Sequence, residues 1–128
     1  MPQATQHTAG QFGFPKSARL LRPSEFRRVQ LEGRTVDLGA FVVRVAERPG
    51  TVSPEPPEAR LGLAVSRRAG NAVARNRIKR RTREWFRHHR ALLSGLDVVV
   101  SARPQAAVLD QRAAEALFLR LLERLGRR

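Results

Sequence analysis

The feature that most constrains this chain is a dense run of positive charge between Arg67 and Arg90. These 24 residues hold ten Lys or Arg residues and one acid, Glu84, which gives a net charge of +9. An exposed helix face normally mixes the two signs, because like charges repel each other. The run therefore predicts a polyanionic partner that relieves the repulsion.

Helical spacing divides this run into two sides. We predict a helix over Gly70–His89, and at about 100° per residue Ala74, Ile78, Trp85 and His89 share one side. That side predicts an anchor on the protein core, with Trp85 as a core residue. The other side carries guanidinium forks, which can each grip two phosphate oxygens. Its members are Asn76, Arg80, Arg83 and Arg87, flanked by Lys79 and Arg90.

The rest of the sequence predicts an α/β fold: a single-domain, two-layer sandwich of an about four-stranded mixed sheet and three helices. The chain has 128 residues, enough for one modest core. Residues 1–15 are predicted to be a disordered tail, residues 16–128 the folded domain, and residues 48–59 a Pro-rich loop. Helices are predicted over residues 23–32 and from Asp110 onward, and strands over residues 40–46, 60–66 and 97–102, with a short strand near residues 34–36.

Small side chains line one face of the strand predicted over residues 60–66. By the period of two, Gly62, Ala64 and Ser66 share this face. Two interpretations remain open: a second layer packed closely on the sheet, or a groove that a nucleic-acid strand can enter. Phe26, on the first predicted helix, is equally compatible with the core and with the groove.

The sequence offers no constellation typical of a nuclease. The chain has no cysteine, and no apolar run approaches the roughly 18 residues of a membrane span. Asp37, Asp97 and Asp110 are scattered, whereas a metal nuclease needs clustered ligands. Glu84 lies among arginines and is predicted to be a salt-bridge partner. We therefore predict no catalytic residue and no metal ligand in the protein itself.

The segment that follows residue 60 also carries a resemblance to a known family. Residues 61–84, LGLAVSRRAGNAVARNRIKRRTRE, resemble the signature of the bacterial ribonuclease P protein family. The discriminating parts are GNAV at residues 70–73 and RNRIKR at residues 75–80. A weaker resemblance covers residues 20–125.

The resemblance implies a four-stranded sheet with an unusual left-handed βαβ crossover, although crossovers are nearly always right-handed. It implies a cytoplasmic protein that binds the ribonuclease P RNA subunit and precursor tRNA, with one protein per RNA and no DNA or membrane partner. The implied activity is endonucleolytic removal of the 5′ leader. The RNA subunit performs the hydrolysis, with Mg²⁺ bound mainly by RNA.

The resemblance also implies two sets of site residues. The predicted RNA-binding residues are Arg67, Arg68, Asn71, Arg75, Asn76, Arg77, Lys79, Arg80, Arg83 and Arg87. The predicted leader cleft consists of Phe26, Gln30, Val42, Arg44, Ala64 and Ser66. Gln30 and Arg44 stand where many family members carry aromatic rings, so this cleft is expected to depend more on charge, or to bind the leader more weakly.

Two other functions share part of this pattern. A structural RNA-binding protein, such as a ribosomal subunit, would show the same charge without the long signature. A stand-alone nuclease would need the carboxylate cluster that the sequence does not show. Cleavage of precursor tRNA by the protein, by the RNA and by their mixture distinguishes the three.

Overall fold

The computed structural model describes residues 16–20, 22–48 and 56–127. The predicted tail over residues 1–15 lies outside them, as do residues 49–55 of the predicted loop. The α-helices of this described part are α1 (Pro23–Glu32), α2 (Ala72–His89) and α3 (Gln111–Leu125). The strands are β1 (Arg34–Asp37), β2 (Phe41–Glu47), β3 (Arg60–Ala64) and β4 (Leu96–Ala102). The predicted elements are thus confirmed, with ends that shift by up to two residues.

The four strands form one mixed sheet in the order β1-β2-β4-β3. β2 runs antiparallel to both β1 and β4, and β3 runs parallel to β4. Parallel neighbours need a crossover connection, and α2 supplies it between β3 and β4. The four-stranded mixed sheet and three helices of the predicted α/β fold are confirmed, while the left hand of the crossover stays a prediction.

The main core lies between one face of the sheet and the pair α2 and α3. Val43 on β2 and Val98 on β4 point into it together with Trp85 of α2 and Phe118 of α3. The Phe118 ring lies 4.8 Å from the rings of both Phe41 and Trp85. These aromatic contacts hold the two helices on the same face, as the two-layer description expects.

The opposite face of the sheet is covered in part by α1. Because side chains alternate along a strand, Ala46 and Val99 lie on this second face, where they form a small cluster with Leu20 and the fully buried Val29 of α1. The two-layer prediction therefore describes α2, α3 and the sheet, and α1 adds a partial third layer.

Side-chain caps begin the two longer helices. The Asn71 side-chain oxygen accepts a hydrogen bond from the Ala74 N–H at 2.9 Å, and Asp110 does the same for Ala113 at 2.8 Å. At α1, Ser24 is a residue type that often caps helices, but it does not cap this one. Instead, the Glu25 carboxylate accepts the Arg22 N–H at 3.1 Å, because the helix begins at Pro23 and Ser24 already lies inside its first turn.

Candidate nucleic-acid interface

The two sides of α2 differ as the charge pattern predicts. Ile78 and Trp85 are buried, which confirms the anchor side, and the predicted anchors Ala74 and His89 are half-buried. Thr82 and Phe86 are also fully buried, and the prediction missed both. Their positions lie roughly 40° and 80° around the helix from Ile78, so a wider apolar sector would have included them.

Most of the positive charge around α2 has no counter-charge among the residues that the structure describes. We call this set the cationic flank. Among the described residues, no acidic side chain forms a salt bridge with any of its members. The members of the cationic flank are Arg67, Arg68, Arg75, Arg77, Lys79, Arg80 and Arg83.

Three other arginines of the run are occupied by the protein. Arg81 donates to the Leu109 carbonyl, Arg87 pairs with Glu84, and Arg90 pairs with Glu58 at 2.8 Å. The Arg87–Glu84 contact confirms that Glu84 is a salt-bridge partner. Arg87 is therefore less available to an outside anion than the other predicted RNA-binding residues.

Two members of the cationic flank are partly desolvated. Arg83 is half-buried, and this burial together with the nearby Arg19 lowers the pKa of the Arg83 guanidinium. The Nε of Arg75 is buried and has no hydrogen-bond partner among the described residues. Removing a cation from water is unfavourable unless a counter-charge replaces the lost hydration, so both positions favour an incoming anion.

A tight turn brings further cations to the start of α2. Arg67–Ala69 form a 3-10 turn in which Ala69 is buried while Arg67 and Arg68 are exposed. Gly70 follows with φ of 136°, a backbone conformation that favours glycine. Asn71 uses its side-chain oxygen for the helix cap, so its NH₂ group is the part available to a partner.

The small-residue face of β3 combines both predicted arrangements. At Gly62 the face is covered: a Cβ built there would lie 2.7 Å from the Phe26 ring and 3.2 Å from Leu20. Toward the end of the strand the face opens, since Ala64 is half-buried and Ser66 is exposed. Phe26 is half-buried, so it closes one end of the groove and borders its open part.

We call the open part the α1 cleft, between α1 and the second face of the sheet. Val42 and Ala64 are both partners of Ser101, which lies between them on β4. The Arg44 Nη1 donates to the Gln30 carbonyl at 3.2 Å and so joins β2 to α1. The structure therefore brings five of the six predicted cleft residues to one face: Phe26, Gln30, Val42, Arg44 and Ala64.

Two residues change the predicted outline of the cleft. Ser101 is half-exposed on its floor, and the prediction missed it because its position depends on β4 inserting between β2 and β3. Ser66 lies beyond the end of β3, directly before the turn that carries Arg67 and Arg68. It therefore connects the cleft to the cationic flank along the chain.

A buried ion-pair network fixes the wall of the cleft. Asp97 is fully buried at the start of β4, where it pairs with Arg28 of α1 and with Arg60 of β3 at 2.7 Å. Arg60 also contacts Glu25 of α1 at 2.8 Å. Hydrogen bonds to Asp97 raise the pKa of Arg60. This network joins α1, β3 and β4.

The other two aspartates considered as possible ligands also have structural partners. Asp37 pairs with Arg103 at 2.9 Å, and Asp110 caps α3. Within the described part of the chain, no group of three or more His, Asp or Glu side chains could hold a metal ion. Among the same residues, no helix has the length and apolar character needed to cross a bilayer.

Comparisons with known proteins agree with this architecture. A family model described as Ribonuclease P matches residues 14–126. The ribonuclease P protein component of Thioalkalivibrio sulfidiphilus is 40% identical over 115 residues, which cover 89% of this chain and 91% of that protein. The corresponding protein of Desulforapulum autotrophicum is 35% identical over 119 residues, covering 92% and 97%.

Solved structures show the same likeness in three dimensions. The RNase P protein of Thermotoga maritima, solved with 1-(4-fluorophenyl)-2-thiourea, superposes with a TM-score of 0.72 at 30% identity, covering 83% of this chain and 98% of that one. The Staphylococcus aureus RNase P protein gives a TM-score of 0.68 at 33% identity, covering 80% and 94%.

The chain is a small basic α/β protein with a mixed four-stranded sheet, an arginine-rich crossover helix and an open cleft on the second face of the sheet. The chain belongs to the ribonuclease P protein family. Its family assigns it to an endoribonuclease that acts in tRNA processing.

Proposed function

We propose that this chain is the protein subunit of ribonuclease P and binds two RNAs at once. Its cationic flank holds the catalytic RNA subunit, and its α1 cleft guides the single-stranded 5′ leader of precursor tRNA. The product is the mature tRNA 5′ end. The observation that carries this proposal is the cationic flank, whose charges have no acidic partner in the described fold.

Charge supports the first contact. A protein that neutralises phosphates releases condensed counterions, so its affinity for RNA falls steeply with salt. The guanidinium groups of Arg77 and Arg80 can act as bidentate phosphate ligands. The anchor side of α2 is largely buried against the sheet and α3, so the cationic flank on the opposite side and the turn before the helix make the main RNA contacts.

The shape of the α1 cleft supports the second contact. Its floor of Val42, Ala64 and Ser101 carries no large side chain, so an extended strand can approach the sheet closely. Arg44 and Gln30 supply polar contacts, and Phe26 supplies one ring. Base stacking on aromatic rings contributes roughly 1–3 kcal/mol per base, so this cleft holds the leader mainly through charge and hydrogen bonds.

The proposal assigns the hydrolysis of the phosphodiester bond to the RNA subunit. The described aspartates are committed to ion pairs or to a helix cap, and the Mg²⁺ ions of the reaction are held mainly by RNA. The protein contributes by binding substrate and by replacing counterions, which lowers the Mg²⁺ that the RNA needs. We place this work in the cytoplasm, with one protein for each RNA.

Cleavage of precursor tRNA tests the proposal. The purified chain, ribonuclease P RNA and their mixture are each assayed at low Mg²⁺, with a precursor tRNA that carries a labelled 5′ leader. We expect cleavage at the mature 5′ end to be enhanced only in the mixture. Cleavage by the protein alone would instead support a stand-alone nuclease. RNA binding without enhanced cleavage would support a purely structural RNA-binding protein.

A further inference from the structure

A second concave surface lies on the other side of α2, away from the α1 cleft. We call it the α2–α3 groove. It has a volume of about 780 Å³ and lies between the outer parts of α2 and α3. Its lining includes Arg80, Trp85 and His88 from α2 and Gln111, Glu115 and Leu119 from α3. None of these residues except Arg80 belongs to the predicted sites.

The floor of this groove is aromatic and rigid. Trp85 stacks on His89 with a centroid distance of 4.5 Å and on Phe118 with a distance of 4.8 Å. Arg81 holds the segment before α3 against α2 through the Leu109 carbonyl. The spacing of the two helices is therefore set by packed rings and by a hydrogen bond, so the groove exists before any ligand arrives.

One donor in this floor lacks an acceptor. Trp85 is only 6% exposed, and its buried Nε1 has no hydrogen-bond partner within the described residues. Buried polar groups are nearly always satisfied by protein, water or ligand. Trp85 therefore offers a hydrogen bond to an acceptor that the fold does not provide.

The two histidines of the groove add acceptors of their own. The Nδ1 atoms of His88 and His89 lie 2.9 Å from the carbonyls of Glu84 and Trp85. A carbonyl can only accept, so each neutral ring carries its hydrogen on Nδ1 and leaves Nε2 as an acceptor. The groove thus combines a donor, ring acceptors and an apolar floor.

An exposed arginine at its rim can bind an anionic group on the same ligand. Arg80 is exposed and belongs to the cationic flank, while Glu84 is occupied by Arg87 and Glu115 accepts a hydrogen bond from Gln111 at 3.2 Å. An unpaired nucleotide fits this arrangement, because its base is planar, carries donors and acceptors, and is joined to a phosphate.

We propose that the α2–α3 groove binds a single unpaired nucleotide of the RNA held by the cationic flank. The Trp85 Nε1 is covered in the unbound protein, so a small shift of the covering atoms brings its N–H to a base acceptor. Base donors reach the histidine Nε2 atoms, and Arg80 contacts the phosphate. This inference rests on the proposed RNA-binding function and adds one specific contact to it.

The test uses the full chain and three RNA hairpins of one sequence: one with a single unpaired nucleotide in the stem, one with an abasic residue at that place, and one fully paired. The four bases are placed at the unpaired position in turn. Affinity is measured by anisotropy of labelled RNA. Trp85, the only tryptophan of the chain, reports on the groove by its fluorescence.

We expect at least one base to bind about fivefold or more tightly than the abasic hairpin, and only that RNA to change Trp85 emission. Trp85→Phe removes the N–H donor but keeps an aromatic ring, and should bring the base-to-abasic affinity ratio close to one. Leu119→Glu, which places a negative charge in the groove, should do the same.

Leu92→Glu is the matched control, because Leu92 is 42% exposed, Leu119 is 40% exposed, and the charge change is equal. The control should keep the wild-type ratio.

The outcomes separate this inference from the proposed function. If all three hairpins bind but base and abasic forms have equal affinity and equal effects on Trp85, the groove inference is wrong while RNA binding stands. If Leu92→Glu lowers the ratio as much as Leu119→Glu, the effect is one of overall charge and the inference is again wrong. If none of the hairpins binds at low salt, the proposed RNA-binding function fails as well.

Discussion

The arginines of this protein fall into two regions with opposite surroundings. Around Asp97, the side chains of Arg28 and Arg60 are mostly buried and paired with carboxylates. Along the cationic flank, Arg77 and Arg80 have no acidic partner in the described fold. The first region uses arginine to hold the chain together, whereas the second leaves arginine available to an outside anion. A net charge of +14 therefore does not measure the charge that is available to an outside anion.

The largest effect, on the free energy of unfolding, is expected from removing the Asp97 carboxylate, at which the buried arginines meet. Asp97→Ala leaves Arg28 and Arg60 partly buried without their shared carboxylate. Removing one partner of a buried ion pair typically costs about 3–5 kcal/mol, and we expect a loss near the lower end because both arginines retain some exposure. Urea unfolding measures it. Asp37→Ala is the control, because the Asp37–Arg103 pair is exposed and such pairs contribute little to stability. Equal losses in the two variants would contradict the distinction.

The next effect concerns the cationic flank. Arg77→Ala combined with Arg80→Ala should weaken binding of ribonuclease P RNA by about 30-fold, or about 2 kcal/mol, because two charged hydrogen-bond donors to phosphate are lost. The melting temperature should stay close to that of the parent protein. Affinity is measured by anisotropy over a range of salt, where the slope should become shallower.

A double variant of equal charge controls for this result. Arg112 and Arg120 lie exposed on α3, so their replacement by Ala removes the same two charges from a different surface. We expect a change in RNA affinity of less than about threefold. If both double variants weakened binding alike, overall charge rather than the cationic flank would determine affinity.

A smaller effect should separate the ion pairs from the apolar contact that also holds α1. Gly62→Ala places a methyl group against the Phe26 ring, and overpacking of this kind costs roughly 1–3 kcal/mol. Thermal unfolding measures the loss. The combination with Phe26→Leu makes room for the methyl group and should recover part of the stability. If Gly62→Ala were neutral, α1 would be held mainly by the Asp97 network.

The smallest effect concerns the exposed pair between Asp37 and Arg103. Hydrogen bonds from Arg103 and from the Gly39 N–H lower the pKa of Asp37 below its ordinary value of 3.8. A lowered pKa stabilises the fold above the unfolded-state pKa, and this contribution is lost as the pH falls through the folded-state pKa. The melting temperature of Asp37→Asn should therefore lie slightly below that of the parent protein at pH 6, and the gap should close as the pH falls below about 3.8. A gap that widened in acid would contradict this assignment.

Local patterns predicted the elements well, since their signals lie within each segment. Pro23 and Gly33 bracket α1, Asp110 caps α3, and the apolar run Val98–Val100 marks a central strand. The sides of α2 followed from spacing alone, apart from Thr82 and Phe86. Spacing within a single helix was enough to predict which side of that helix faces the core and which side carries the charge.

Features that depend on strand order could not be predicted. Asp97 is stable in the core because Arg28 and Arg60, 69 and 37 residues earlier, meet it, and no local pattern signals such a meeting. Ser101 enters the cleft floor for the same reason. The α2–α3 groove depends on how two helices separated by β4 lie on the sheet, so its lining residues could not be predicted from the sequence either.

The Asp97 network has a consequence for the energetics of ligand capture. It joins one wall of the α1 cleft to two strands of its floor, so outward movement of the wall would break the Arg28–Asp97 and Arg60–Glu25 ion pairs. The width of the cleft is therefore set when the chain folds. An incoming single strand gives up its own freedom on binding, but the protein has little conformational entropy left to lose, and preorganisation of this kind increases affinity without any added contact.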